Sequence, residues 1–174
     1  TVAEPNVSTS KEATKTPKYI FLFIGDGMSY PQIQLTNYYL SAVKDTNNNN
    51  ILESESNLSF LNFPVAGSAQ TYDSTSFCPD SASTATSLST GYKTYSGTIN
   101  MDETKSVAYE TISEKLKDQL GYKVGIITSV NLNHATPAAF YAHQASRNDY
   151  YEIGVEMVES GFDYFAGGNQ NRFQ

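Results

Sequence analysis

The chain has 174 residues, and its 11 Lys and Arg against 18 Asp and Glu leave a net charge of −7. That length fits one soluble domain of about 150 residues, the acidic balance argues against nucleic-acid binding, and no apolar run approaches the ~18 residues of a transmembrane helix. Hydrophobic residues at 39% suffice for a core and exclude wholesale disorder. One cysteine, Cys78, excludes an internal disulfide; with only His134 and His143 beside it, a self-contained zinc finger is excluded too.

Residues 1–17 are polar and Thr-rich, show no apolar period and close on Pro17, which predicts a flexible leader of the kind left after signal-peptide cleavage. Lys18 to Ile24 is continuously apolar after its lysine and stops at Gly25-Asp26-Gly27, the pattern of a strand buried on both faces. Pro31 to Val43 predicts a helix with proline in its first turn. The run Asp45 to Asn50 breaks it, and a polar excursion extends to about Asn57. Gly67 to Tyr72 suggests a second strand, and Pro79-Asp80-Ser81 opens a small-residue helix that Gly91 ends. Ser106 to Gln119 places Val107, Ile112, Leu116 and Leu120 near one face, an amphipathic helix capped by Gly121. Lys123 to Thr128 reads as a buried strand, a helix begins near Pro137, another spans Asp149 to Ser160, and Gly161 to Phe165 is a strand. Strands alternating with helices imply an α/β fold with a mostly parallel central sheet flanked by helices.

In such sheets, reactive residues gather at the carboxyl ends of strands and at the following helix N-termini. Asp26, Ser81 and the group His134, Thr136 and Arg147 all fall there. Taken singly, each has an ordinary structural reading. Asp26 is a turn former, Asp80 and Ser81 are common N-cap residues, Thr136 could cap a helix, and an arginine in a polar loop makes surface ion pairs. His143 reads as a packed or hydrogen-bonded histidine, and Cys78 as a small buried side chain.

Their joint wording shifts the balance. Ile24-Gly-Asp-Gly-Met28, Pro79-Asp-Ser-Ala-Ser-Thr-Ala85, His134-Ala-Thr-Pro-Ala-Ala139 and Ala142-His-Gln-Ala-Ser-Arg147 resemble, in order, the signature blocks of the alkaline phosphatase family. The resemblance covers roughly Tyr19 to Gly168 and implies a three-layer α/β fold. It implies that Ser81 is the nucleophile that becomes phosphorylated and is then hydrolysed, the logic of covalent catalysis. It further implies that Arg147 holds two phosphate oxygens through its guanidinium fork and that Asp80 orients Arg147. The implied cofactors are two Zn2+ and one Mg2+, with Asp26 bridging a zinc and the magnesium, Ser81 meeting a zinc, and Thr136 offering a hydroxyl oxygen to magnesium. His134 stands where some members carry Asp and others resemble this chain in using His, and the histidine implies a weaker magnesium site or zinc in its place.

The expected substrates are small-molecule phosphate monoesters, the expected location secreted or periplasmic, and the full-length protein a homodimer. Asn6-Val-Ser8 and Asn57-Leu-Ser59 match a glycosylation acceptor pattern. The family draws most of its zinc ligands from a C-terminal half, so residues 18–174 are expected to form the N-terminal part of an alkaline-phosphatase-like domain, truncated, inactive alone and prone to self-association. The alternative is a catalytically inactive phosphate-binding or surface interaction module on the same scaffold; Ser81 beside Arg147 favours the enzyme. A sulfatase or phosphonate enzyme is disfavoured by the Asp80-Ser81-Ala82 setting.

Overall fold

The computed structural model describes residues 16–44 and 58–168. The body of the expected leader, the Asn-rich excursion, both candidate glycosylation asparagines and the last six residues lie outside them.

Helix α1, Tyr30–Lys44, starts with Pro31 in its first turn and ends on Lys44, whose charge suits the carbonyl end. Helix α2, Ser81–Thr90, is set at both ends by chemistry legible in the chain. Asp80 caps it by accepting the Ser83 amide at 3.1 Å, and Gly91, at φ 82°, closes it in the left-handed region. Three of its hydroxyls are satisfied by the helix itself: Thr84, Ser87 and Thr90 donate to the carbonyls of Asp80, Ser83 and Thr86 at 2.9, 3.1 and 2.7 Å. Small side chains let α2 approach the short helix α4, Ala135–Ala138. Ala82 and Ala85 meet Ala135, Ala138, Ala139 and Ala142 in a core completed by Ile99, Tyr141, Ile153 and Met157.

Asn100 joins these layers. It is fully buried with a positive φ of 49°, a conformation asparagine tolerates better than most residues. Its side-chain amide donates to the carbonyls of Ala139 and Ala142 at 2.8 Å each, its oxygen accepts from Ser89 at 3.0 Å, and its backbone N–H reaches Thr86 Oγ1 at 2.9 Å. Every polar group is satisfied, so burying them carries no orphan penalty.

Helix α3 spans Ile112–Leu120, six residues later than the sequence predicts. Asp102 is the reason: its Oδ1 accepts the amides of Ser106 and Val107 at 2.8 Å each and holds them in a turn. The helix starts instead at a capping box formed by Thr111 and Glu114, and Gly121 ends it as expected.

Strand β1, Gly125–Asn131, pairs in parallel with β2, Tyr164–Gly168, with Gly125 opposite Tyr164 and Ile127 opposite Ala166. Between them run α4 and helix α5, Tyr150–Glu159, giving the expected strand, helix, strand order. Three expectations are corrected here. The runs 18–24 and 67–72 form no strand, since a ladder needs a partner edge and, among the described residues, β1 and β2 pair only with each other. Tyr19 to Ile24 is consequently exposed, Phe23 to 87%. Strand β1 is not buried on both faces either: Ile126 packs against the core, whereas Ile127 is 76% exposed. Cys78, expected to be buried, is exposed. Among the described residues, no helix is long and apolar enough to cross a membrane.

Candidate active site

Asp26 lies in the tight turn after the apolar run 18–24, where the Met28 amide reaches the Gly25 carbonyl at 3.0 Å and Gly27 takes φ +69°. The positive φ suits glycine, and Asp26 is exposed. Two distant hydroxyls converge on it. Ser81, the first residue of α2, donates to Oδ1 at 3.2 Å, and Thr136, in the first turn of α4, donates to Oδ2 at 2.8 Å. The N-terminus of α2 adds oriented amides and a partial positive charge beside Ser81.

Arg147 forms the second half of the arrangement. Its Nη1 donates to Asp80 Oδ2 at 2.9 Å, and its Nη2 lies 3.3 Å from His134 Nε2. Those contacts use two of the five guanidinium N–H donors. The backbone fixes where the arginine starts: its amide donates to the Gly97 carbonyl at 2.7 Å, and Gln144 and Ile99 exchange two bonds of 2.9 Å. Asp80 thus caps α2 and holds Arg147 at once. Burial works against its charge, but the amides of Gly97 and Ser83 and then Arg147 outweigh that effect and hold its carboxyl below the usual range.

His134 is pushed the other way. Burial first, then the Arg147 charge, lowers its pKa, and Asp26 only partly compensates. A neutral ring that accepts from Arg147 at Nε2 carries its proton on Nδ1, an assignment made from the bonding network. Nδ1 is buried and, among the described residues, has no hydrogen-bond partner.

A metal can be judged against these donors. Asp26 and Thr136 present oxygens side by side, part of the shell a hard cation takes. His134, with an orphaned ring nitrogen nearby, adds an imidazole of the kind zinc accepts. Among the described residues, no group of three or more His, Cys, Asp or Glu side chains is placed to hold a metal ion, so these residues fit part of a metal shell and close none.

All six residues singled out in the sequence are therefore brought into two linked groups. Thr136 does not cap α4; His134 holds the N-cap position, and the Thr136 hydroxyl goes to Asp26. Neither Ser83 nor Gly97 was marked as a site residue, and their amides both hold Asp80 Oδ1, at 3.1 and 3.0 Å. Ser83 had a signal in its spacing from an N-cap Asp; Gly97 had none.

A serine at a helix N-terminus, an arginine braced by a carboxylate and a carboxylate gathering two hydroxyls suit a tetrahedral oxyanion on an α/β scaffold. A sequence profile of the alkaline phosphatase family matches residues 17–165, and the chain belongs to that family. Alkaline phosphatase 4 of Drosophila melanogaster is 34% identical over 154 residues, which cover 85% of this chain and 25% of that protein. The crystal structure of a cold-active alkaline phosphatase from the psychrophile Shewanella sp. superposes with a TM-score of 0.68 at 32% identity, covering 87% of this chain and 36% of that one. The alkaline phosphatase of the Antarctic bacterium TAB5 gives a TM-score of 0.54 at 38% identity over 57% of this chain and 28% of that one. A histidine-to-aspartate variant of the TAB5 enzyme holds magnesium in its M3 site. The chain thus spans 25% to 36% of the length of the first two.

Proposed function

We propose that the full-length protein hydrolyses phosphate monoesters through a phosphoserine formed on Ser81. The observation that carries this reading is the convergence of Ser81 and Thr136 on Asp26, beside Arg147 held by Asp80 and His134. Arg147 binds two non-bridging phosphate oxygens, and the α2 N-terminus favours the same anion. Asp26 Oδ1 holds the Ser81 proton in a hydrogen bond, which leaves the Oγ lone pairs for phosphorus. Ser81 Oγ gives up its proton and bonds to phosphorus as the bond to the leaving oxygen breaks, and the departing alcohol takes up one proton in exchange, so that the step is proton-neutral. Water then attacks the phosphoserine, releasing inorganic phosphate and restoring the hydroxyl. Phosphoryl transfer asks chiefly for alignment and charge stabilisation, which is what Arg147, Asp80 and the helix N-terminus supply.

Zinc and magnesium belong to the same reading. Asp26, Ser81, Thr136 and His134 would contribute to holding them, with the remaining ligands outside this chain, and the ions would neutralise charge on the attacking and leaving oxygens. The chain alone is therefore proposed to be inactive. Residues 18–174 as the N-terminal part of the catalytic domain, a secreted or periplasmic location and a homodimeric full-length protein rest on the family resemblance.

The test is hydrolysis of a chromogenic phosphate monoester by the full-length protein with zinc and magnesium. Turnover should be lost in Ser81→Ala while inorganic phosphate still binds; turnover undiminished in that variant would overturn the mechanism.

A further inference from the structure

Behind Asp80 lies a second carboxylate that the reading above leaves unused. Asp73 is only 5% exposed and, among the described residues, has no cationic partner, yet it accepts five hydrogen bonds. Its two oxygens divide the work. Oδ1 serves the local turn, taking the Thr75 amide at 2.8 Å, the Thr75 hydroxyl at 2.9 Å and the Ser76 amide at 2.7 Å. Oδ2 reaches outward and takes the hydroxyls of Ser83, at 2.8 Å, and Ser96. Burial opposes the charge, but the bonds from Ser96, Ser83 and Thr75 outweigh it and hold the carboxyl far below the usual range, so Asp73 is an anion at neutral pH.

Of the two residues gripped by Oδ2, Ser83 bonds Asp80 itself and Ser96 immediately precedes Gly97, which also bonds it. The Ser83 amide donates to Asp80 Oδ1, and so does the amide of Gly97, which follows Ser96. Gly97 also receives the Arg147 amide on its carbonyl. The single Ser83 hydroxyl proton has Asp73 nearer, at 2.8 Å, than Asp80, at 3.0 Å. We infer that Asp73 is a positioning residue for phosphate binding: its Oδ2 pins Ser83 and Ser96, their adjoining amides fix Asp80 Oδ1, and Asp80 Oδ2 aims Arg147. The inference rests on the proposal that Arg147 binds phosphate. A turn-forming role alone would need only Oδ1.

A double-mutant cycle on the full-length metal-loaded enzyme separates the two roles, with inorganic phosphate affinity by calorimetry and the kcat and KM of a phosphate monoester as readouts. Asp73→Ala should weaken phosphate binding about tenfold, the lower end of what outer-shell partners contribute, and raise KM more than it lowers kcat. In an Asp80→Ala background, the same change should cost less than about twofold, because a residue acting through Asp80 has nothing left to position. Ser96→Ala keeps the Oδ1 turn and decides the matter should Asp73→Ala not fold; it should give a smaller loss that is likewise absent without Asp80. Equal losses in both backgrounds, or a lowered Tm with unchanged phosphate affinity, would overturn the inference. If Arg147→Ala binds inorganic phosphate as tightly as the wild type, the functional reading itself fails, whatever Asp73 does.

Discussion

Raising the pH should weaken this fold through one histidine. His143 sits between α3 and α5 with acceptor oxygens at both ring nitrogens: Glu156 Oε2 lies 3.3 Å from Nδ1, and the Tyr109 carbonyl and Glu114 Oε2 lie 3.1 and 3.4 Å from Nε2. A neutral ring would have to turn a lone pair toward one of them. Burial disfavours the charge, but the bonds to Glu114 and Glu156 and their charges outweigh it and push the pKa from 6.5 up to about 9. The His143, Glu114 and Glu156 side chains are 18%, 27% and 24% exposed, so solvent screens the cluster only modestly. At about 1.4 kcal/mol per pH unit, the shift corresponds to about 3.5 kcal/mol, which that screening reduces to about 2 to 3 kcal/mol of folding free energy. Because the folded pKa is the raised one, that contribution is fully present below pH 6.5 and is lost as pH rises through about 9. Neither neighbouring tyrosine competes in that window. Tyr141 is raised by burial and Glu156, and Tyr109 by burial and the charges of Asp102 and Glu103. The assay is urea unfolding of the wild type and His143→Gln at about pH 6 and about pH 10, where titrations common to both proteins cancel in the difference. The stability gap should shrink by about 2 to 3 kcal/mol between the two conditions. A gap that stays constant would refute the ion-pair account.

Thr111→Ala removes the acceptor of the Glu114 amide at 3.2 Å and the donor to the Phe140 carbonyl at 3.3 Å, and should cost about 1 to 2 kcal/mol in chemical denaturation; unchanged stability would mean the capping box does not set the start of α3. His134→Asp replaces a neutral imidazole by an anionic oxygen ligand beside Asp26 and should tighten magnesium binding to the full-length protein, read by calorimetry. Equal magnesium affinity in both proteins would refute it.

Helix ends with local causes were legible in the chain, and so was the order of the site blocks. Asp80 and Gly91 bound α2, and Gly121 ends α3, because a cap is decided within a few residues. Strands were a different matter. The apolar run 18–24 carries every local sign of a buried strand and forms none here, since a strand is completed only by a neighbour that local pattern does not specify. The start of α3 was misplaced for a related reason: Asp102 draws Ser106 and Val107 into a turn, and a side chain competing for amides leaves no trace in hydrophobic period.

The sequence by itself indicated the family and the chemical types at the candidate site, because the functional groups of Asp26, Asp80, Ser81, His134, Thr136 and Arg147 are given by residue identity. Only the tertiary structure decided which of them meet. Ser81 and Thr136 reach Asp26 across 55 and 110 positions, and Asp80 reaches Arg147 across 67. It also revealed Asp73, Gly97 and the His143 cluster, whose roles depend on hydrogen bonds between segments far apart in the chain. A hydrogen bond has to be satisfied within about 3 Å, and no pattern along the sequence measures that distance.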